Sequence, residues 1–257
     1  MSDYYKGRRK RNMYTERSDM PFKISRSKID LFLNCPRCFY IDRKLGVSQP
    51  PGFPFAINSA VDKLLKQEFD IHRKEGKRHP LLEKYGVDAI PAKRDELDEW
   101  RENFKGVQAY HRETNFLVTG AIDDLWINGE GEYVVVDYKA TSKDEQITEL
   151  NKEWQESYKR QMEVYQWLLR KNNLKVSDTG YFVYCNGRTD TEAFDGKIEF
   201  DITLIAHQGS DKWVEDTLFS IKKVLESKEL PQPGKDCDFC LYRKEVKKVL
   251  EENGHTE

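Results

Sequence analysis

Apolar positions near the start of the chain follow a helical rhythm: Ile29, Leu31, Phe32 and Leu33 come after Ser25 and Ser27, residues suited to cap a helix. Ordered structure is therefore predicted to begin near Ile24, with Pro36 ending or kinking this first helix. After the Pro- and Gly-rich stretch 49–54, Ala60, Val61, Leu64, Leu65 and Phe69 predict a second amphipathic helix. From Arg73 to Tyr110 the chain is highly charged, with scattered anchors such as Leu82, Leu97 and Trp100, and reads as helical and partly exposed. The rhythm then shortens. Strands are predicted over 116–119, 121–127 and 133–138, the last two joined as a hairpin by the turn Asn128-Gly129-Glu130-Gly131. Trp154, Tyr158, Met162, Tyr165, Leu168 and Leu169 mark a long helix over 149–171. Strands at 181–184 and 198–205 and a helix over 213–225 follow, and a Pro-rich loop leads to a short charged helix. Helices, hairpin, helix, strands and helix in that order predict an α/β fold, with a mixed central sheet flanked by helices. One domain over 23–257 is expected behind a basic, flexible tail at 1–22, with a charged helical region at 73–110.

Composition narrows the function classes. The net charge is −2, so any site for a polyanion must be local. The strongest local excess is Lys6, Arg8, Arg9, Lys10, Arg11 and Arg17, which reads either as a phosphate-contacting segment or as a solvated tail. No apolar run is long enough to span a membrane, and the first thirty residues lack the apolar segment of a secretory signal, so a cytoplasmic location is expected. There is no Walker loop, no Gly-x-Ser-x-Gly elbow and no His-Glu-x-x-His pattern. Any strand-separating motor would then be a separate protein.

The chemistry-bearing residues lie around the hairpin. Asp123 and Asp137 fall on its two strands, 14 positions apart around a short turn, where pairing can bring them together. Two carboxylates that close repel unless a cation lies between them. Hard cations such as Mg²⁺ or Mn²⁺ suit such a set and can drive phosphodiester hydrolysis. Lys139 is two residues beyond Asp137, on the same face of an extended strand. Gln161 and Tyr165 are four apart and share a helix face. Taken alone, Asp-x-Lys is more often a solvated strand face, but here it ends the apolar run Val134-Val135-Val136.

Two Cys-x-x-Cys pairs, Cys35/Cys38 and Cys237/Cys240, bracket these residues. In a reducing compartment such pairs read as metal ligands ahead of disulfides. Four thiolates can hold tetrahedral Zn²⁺ or a [4Fe–4S] cluster, and spacing does not separate the two. Either would clasp the start of the chain to its end. Cys185, after an apolar strand, reads as a core residue.

Gly120-Ala121-Ile122-Asp123, Val136-Asp137-Tyr138-Lys139 and Gln161-Met162-Glu163-Val164-Tyr165 together resemble the three successive motifs of RecB-like nucleases in the PD-(D/E)XK superfamily. The cysteines add a similarity to the CRISPR-associated four-cysteine iron–sulfur nucleases. The resemblance implies a PD-(D/E)XK core over most of the chain, with a helical N-terminal region and a four-cysteine clasp. It implies a metal-dependent DNA nuclease, an exonuclease acting on single-stranded or end-containing DNA in repair, recombination or CRISPR-type processing, with a separate helicase or recombination partner. Asp123, Asp137 and the backbone carbonyl of Tyr138 would hold Mg²⁺ or Mn²⁺, Lys139 would assist hydrolysis, and Gln161 and Tyr165 would position the substrate or the lysine. Asp62 stands where the family often has a metal-binding His. The family's iron–sulfur members usually place one cysteine early and three late, whereas this chain divides them two and two, with Val246 near the place of the missing third. Two readings from other classes are a non-catalytic DNA-binding or assembly module on the same fold, and a redox-responsive protein governed by its cluster.

Overall fold

A computed structural model of the chain describes residues 7–52 and 56–255. Its first part runs through β1 (Phe22–Ser25), α1 (Arg26–Asn34), α2 (Pro36–Arg43), α3 (Ala56–Glu75), α4 (Pro80–Lys84), β2 (Ala89–Pro91) and α5 (Leu97–Trp100). Four strands follow: β3 (Val107–His111), β4 (Phe116–Gly120), β5 (Asp124–Asn128) and β6 (Tyr133–Thr141). The chain continues with α6 (Glu156–Lys171), β7 (Thr179–Gly187), β8 (Phe200–Gln208), α7 (Trp213–Glu226) and α8 (Asp238–Glu252).

These elements group into two compact units, one formed by 56–109 and 119–213, the other by 7–52, 110–118 and 214–255. The first holds a five-stranded sheet in the order β2-β5-β6-β7-β8. β6 and β7 run parallel and the other neighbours antiparallel, so the sheet is mixed as expected. Period-two alternation on β6 sorts its side chains between the faces. Val134, Val136 and Tyr138 join Leu65 and Phe69 of α3, Trp126 and Val183 in a buried core. Asp137 and Lys139 point the other way and meet Gln161 on α6. One central strand thereby separates an apolar face from a polar one.

The second unit contains α1, α2 and α8, with Ile24, Ile29, Phe32 and Phe39 buried. Asp42 is buried there among cations: Lys28 lies 2.9 Å from Oδ2, Arg43 Nε donates to the same oxygen at 2.9 Å, and Arg9 pairs with Oδ1. Of the basic residues near the start, Lys6 lies outside the described residues. Arg9 is anchored further by its backbone N–H, which donates to the Gly46 carbonyl at 2.8 Å.

Several boundaries differ from the periodicity. A short strand, Phe22–Ser25, precedes the first helix, and Ser25 occupies its N-cap without a side-chain cap bond. Its hydroxyl instead lies 3.0 Å from that of Ser27. The charged stretch 73–110 is not uniformly helical, because Ala89–Pro91 adds an edge strand and Val107–His111 enters a three-stranded sheet in the order β1-β4-β3. The long helix starts at Glu156, after a 3₁₀ turn over Glu153–Gln155, which leaves Trp154 half exposed.

Candidate active site and cysteine cluster

The hairpin sets the geometry. Antiparallel pairing of β5 and β6 puts Asp124 opposite Val136 and Leu125 opposite Val135. Continued by one residue, that register sets Asp123 opposite Asp137. Asp123 lies just outside the strand, where its Oδ2 accepts the backbone N–H of Tyr138 at 2.9 Å. Its side chain keeps 24% of its surface exposed, whereas Asp137 is fully buried. Burial, and after it the negative charge of Asp137, push the Asp123 carboxyl up to about 6.

Lys139 pairs with Asp137 Oδ2. Burial would drive off its proton, but the charges of Asp137 and Asp123 outweigh that effect and hold its pKa above the usual lysine range. The ammonium lies 4.4 Å from the centre of the Tyr158 ring, a cation–π contact. Gln161 then ties the group together: Nε2 donates to Asp137 Oδ1 at 2.7 Å and to the Tyr165 hydroxyl at 3.0 Å, while Oε1 accepts from Lys139 Nζ at 3.3 Å. Helical spacing puts Gln161 and Tyr165 on one face, as their separation predicts. Gly120 makes room for this face, because a Cβ there would stand 2.7 Å from Tyr165 Cε1.

Asp62 comes to the same region from α3, held by Lys66 at 2.8 Å. Lys66 also lies 3.8 Å from Asp123 Oδ1 and so stands between two carboxylates. Burial first, and then Asp123, raise the Asp62 pKa. Asp62, Asp123 and Asp137 do not form a closed cage: among the described residues, the four cysteines alone make a group of three or more potential metal-binding side chains within 4.8 Å of one another.

Sequence reasoning missed Asp124, the buried neighbour of Asp123. Its Oδ1 accepts from Arg101 Nη2 at 2.8 Å and from Arg73, while Oδ2 accepts the Tyr138 hydroxyl at 2.7 Å. Arg101 also bonds the backbone carbonyl of Asp123 at 3.0 Å. This network fixes the backbone on which Asp123 sits. Lys66 and Tyr158 were missed too, one lost in a charged helix face and the other read as core. Of the three, Asp124 alone carried a signal, since a carboxylate that leads directly into the apolar pair Leu125-Trp126 must face a partner or solvent.

In the other unit, Cys35 is the N-cap of α2 and Cys237 that of α8. The Cys38 sulfur lies 3.6 Å from that of Cys237 and 3.5 Å from that of Cys240, and the Cys35 and Cys240 sulfurs are 3.7 Å apart. Pairs distant in sequence therefore meet as one four-sulfur cluster. Cys185 is apart from it, in the core beneath the sheet, where burial pushes its thiol up to about 11.

A family profile described as the PD-(D/E)XK nuclease superfamily matches residues 23–244. The chain belongs to this superfamily. It is also similar to a solved structure, the crystal structure of SSO0001, at 14% identity over 90% of this chain and 87% of that one, with a TM-score of 0.40. A comparison with curated proteins found no match.

Superfamily membership implies hydrolysis of phosphodiester bonds in nucleic acid with the help of a divalent metal. The carboxylates fit such an ion. Asp123 keeps an exposed edge, its charge is disfavoured by burial and by Asp137, and a lysine ammonium already stands between it and Asp62. A hard cation would satisfy the same acidic groups. Among the described residues, no helix is long and apolar enough to cross a membrane.

Proposed function

We propose that this PD-(D/E)XK chain is a Mg²⁺- or Mn²⁺-dependent deoxyribonuclease. The observation that carries the reading is the meeting of Asp123, Asp137 and Lys139 at one end of the β5/β6 hairpin, braced by Gln161. A binding module has no need of that trio. The ion would be held by Asp123, Asp137 and the Tyr138 carbonyl, with Asp62 as a further ligand. When bound, it supplies charge neutralisation at the phosphate and lowers the pKa of water.

The protein's own groups have separate tasks. The charges of Asp137 and Asp123 hold the Lys139 pKa up against burial, which favours the ammonium form beside them. Lys139 orients the attacking water or offsets charge on the phosphate. Gln161 fixes the position of both Lys139 and Asp137, and Tyr165 holds the Gln161 amide. Reactive groups positioned in advance by packed neighbours contribute through orientation.

The likeness of the three motifs to RecB-like nucleases supports exonuclease action on single-stranded or end-containing DNA, in repair, recombination or CRISPR-type processing. Without a Walker loop, strand separation falls to a helicase partner. Four cysteines gathered as one potential metal-binding group fit a reducing, cytoplasmic setting. The test is cleavage of single- and double-stranded DNA with Mg²⁺ or Mn²⁺ by wild type, Asp137→Ala and Lys139→Ala. Loss in both variants is expected; equal activity in all three would overturn the assignment.

A further inference from the structure

We infer that Cys35, Cys38, Cys237 and Cys240 bind a single tetrahedral Zn²⁺ ion and not the [4Fe–4S] cluster that the family resemblance implies. The inference rests on sulfur spacing. One ion bonded to four thiolates at about 2.3 Å sets the sulfurs at the corners of a tetrahedron with edges of about 3.8 Å. Three of the separations here are 3.5, 3.6 and 3.7 Å, and all four sulfurs lie within 4.8 Å of one another.

A cubane cluster needs a different arrangement. Each thiolate bonds a different iron and stands outside the cube, so its four sulfurs are too widely separated to meet that mutual limit. A pair of disulfides does not fit either, because a disulfide bond is about 2.05 Å long. Cys38 also approaches both Cys237 and Cys240 equally closely, which pairwise bonding would not produce.

Groups around the sulfurs support a fixed thiolate site. Cys35 Sγ accepts the backbone N–H of Cys38 at 3.4 Å and that of Gly234 at 3.2 Å. Gly234 reaches it by lying against the backbone of Asn34 so tightly that a Cβ would collide with the Asn34 carbonyl. Such N–H···S bonds orient ligands and favour the charged form of sulfur. Zn²⁺ has no redox chemistry. The centre would then act as a structural tie between the N-termini of α2 and α8, across 199 positions from Cys38 to Cys237.

The experiment is metal analysis of the full chain, purified without oxygen and then offered Zn²⁺ in one sample and iron with sulfide in another. One zinc per chain is expected, with no retained acid-labile sulfide. Replacing zinc by Co²⁺ should give the visible bands of a tetrahedral thiolate site. Cys237→Ser and Cys240→Ser should lose the ion while Cys185→Ser keeps it. Iron and sulfide retained in the proportion of a cubane would overturn the inference, as would a folded chain that binds neither metal. If the serine variants fail to fold, the wild-type stoichiometry still decides. No DNA enters these measurements, so their outcome is independent of the nuclease reading.

Discussion

Gln161 donates its amide N–H to Asp137 Oδ1 at 2.7 Å, from a helix to the strand of the sheet it packs on. The same side chain accepts from Lys139 and donates to Tyr165. It therefore fixes two groups of the proposed site at once. Gln161→Ala is expected to leave the fold intact and lower DNA cleavage about 100-fold, the scale of loss for a small misplacement of reacting groups. Gln161→Glu places a third carboxylate beside Asp123 and Asp137 and should raise the requirement for Mn²⁺. Cleavage rates measured across a metal titration check both outcomes.

Asp123 and Asp124 are neighbours with opposite tasks. Asp124 is buried among Arg73, Arg101 and the Tyr138 hydroxyl, and its removal leaves the two guanidinium groups with only the partly exposed Asp70 as a shared anion. Asp124→Ala is expected to cost about 3–5 kcal/mol of stability, the scale for breaking a buried ion pair from one side. Asp123→Ala should abolish cleavage with little loss of stability. Urea denaturation of both variants, beside a cleavage assay, separates the two roles.

This pair also shows how far the sequence was legible. Hairpin register, Asp-x-Lys alternation and the four-residue spacing of Gln161 and Tyr165 are local periodicities, and the structure brings those residues together as their spacing implies. The partners of Asp124 are not local. Arg73 lies on α3 and Arg101 in a charged segment without periodic signal, and only the packing of these parts around β5 brings them to one carboxylate. The edge strand Ala89–Pro91 was hidden for a similar reason, since three residues are too few to show alternation. At the cysteines, spacing singles out the four residues that meet, but the distances between their sulfurs require the fold.

Asp123 carries a pH signature. Its folded-state pKa of about 6 lies above the ordinary carboxylate value, so between those two values the folded state binds the proton more tightly than the unfolded chain. In the absence of metal, the contribution of this group to stability is fully present below the ordinary carboxylate value and is lost as pH rises through about 6. The melting temperature in chelator should therefore gain from Asp123 as pH falls from 8 to 5, and Asp123→Asn should remove that component. Mn²⁺ binding should weaken over the same interval, because the proton and the ion compete for one carboxylate. Thermal melts of both proteins with chelator or Mn²⁺ check the sign.

Lys66 stands where a metal ion would be felt. Its ammonium is 2.8 Å from Asp62 Oδ1 and 3.8 Å from Asp123 Oδ1, and it partly neutralises both carboxylates in the metal-free protein. A divalent ion bound by Asp123 must share or replace that neutralisation, so lysine and metal compete. Lys66→Ala is expected to lower metal-free stability at pH 8 by about 1 kcal/mol, the size of a partly exposed ion pair. It should also tighten Mn²⁺ binding severalfold, giving a larger metal-induced rise in melting temperature than wild type shows. Lys66→Arg keeps the charge and should behave like wild type in both measurements. Weaker Mn²⁺ binding in Lys66→Ala would instead mean that the lysine orders Asp62 and Asp123 for the ion.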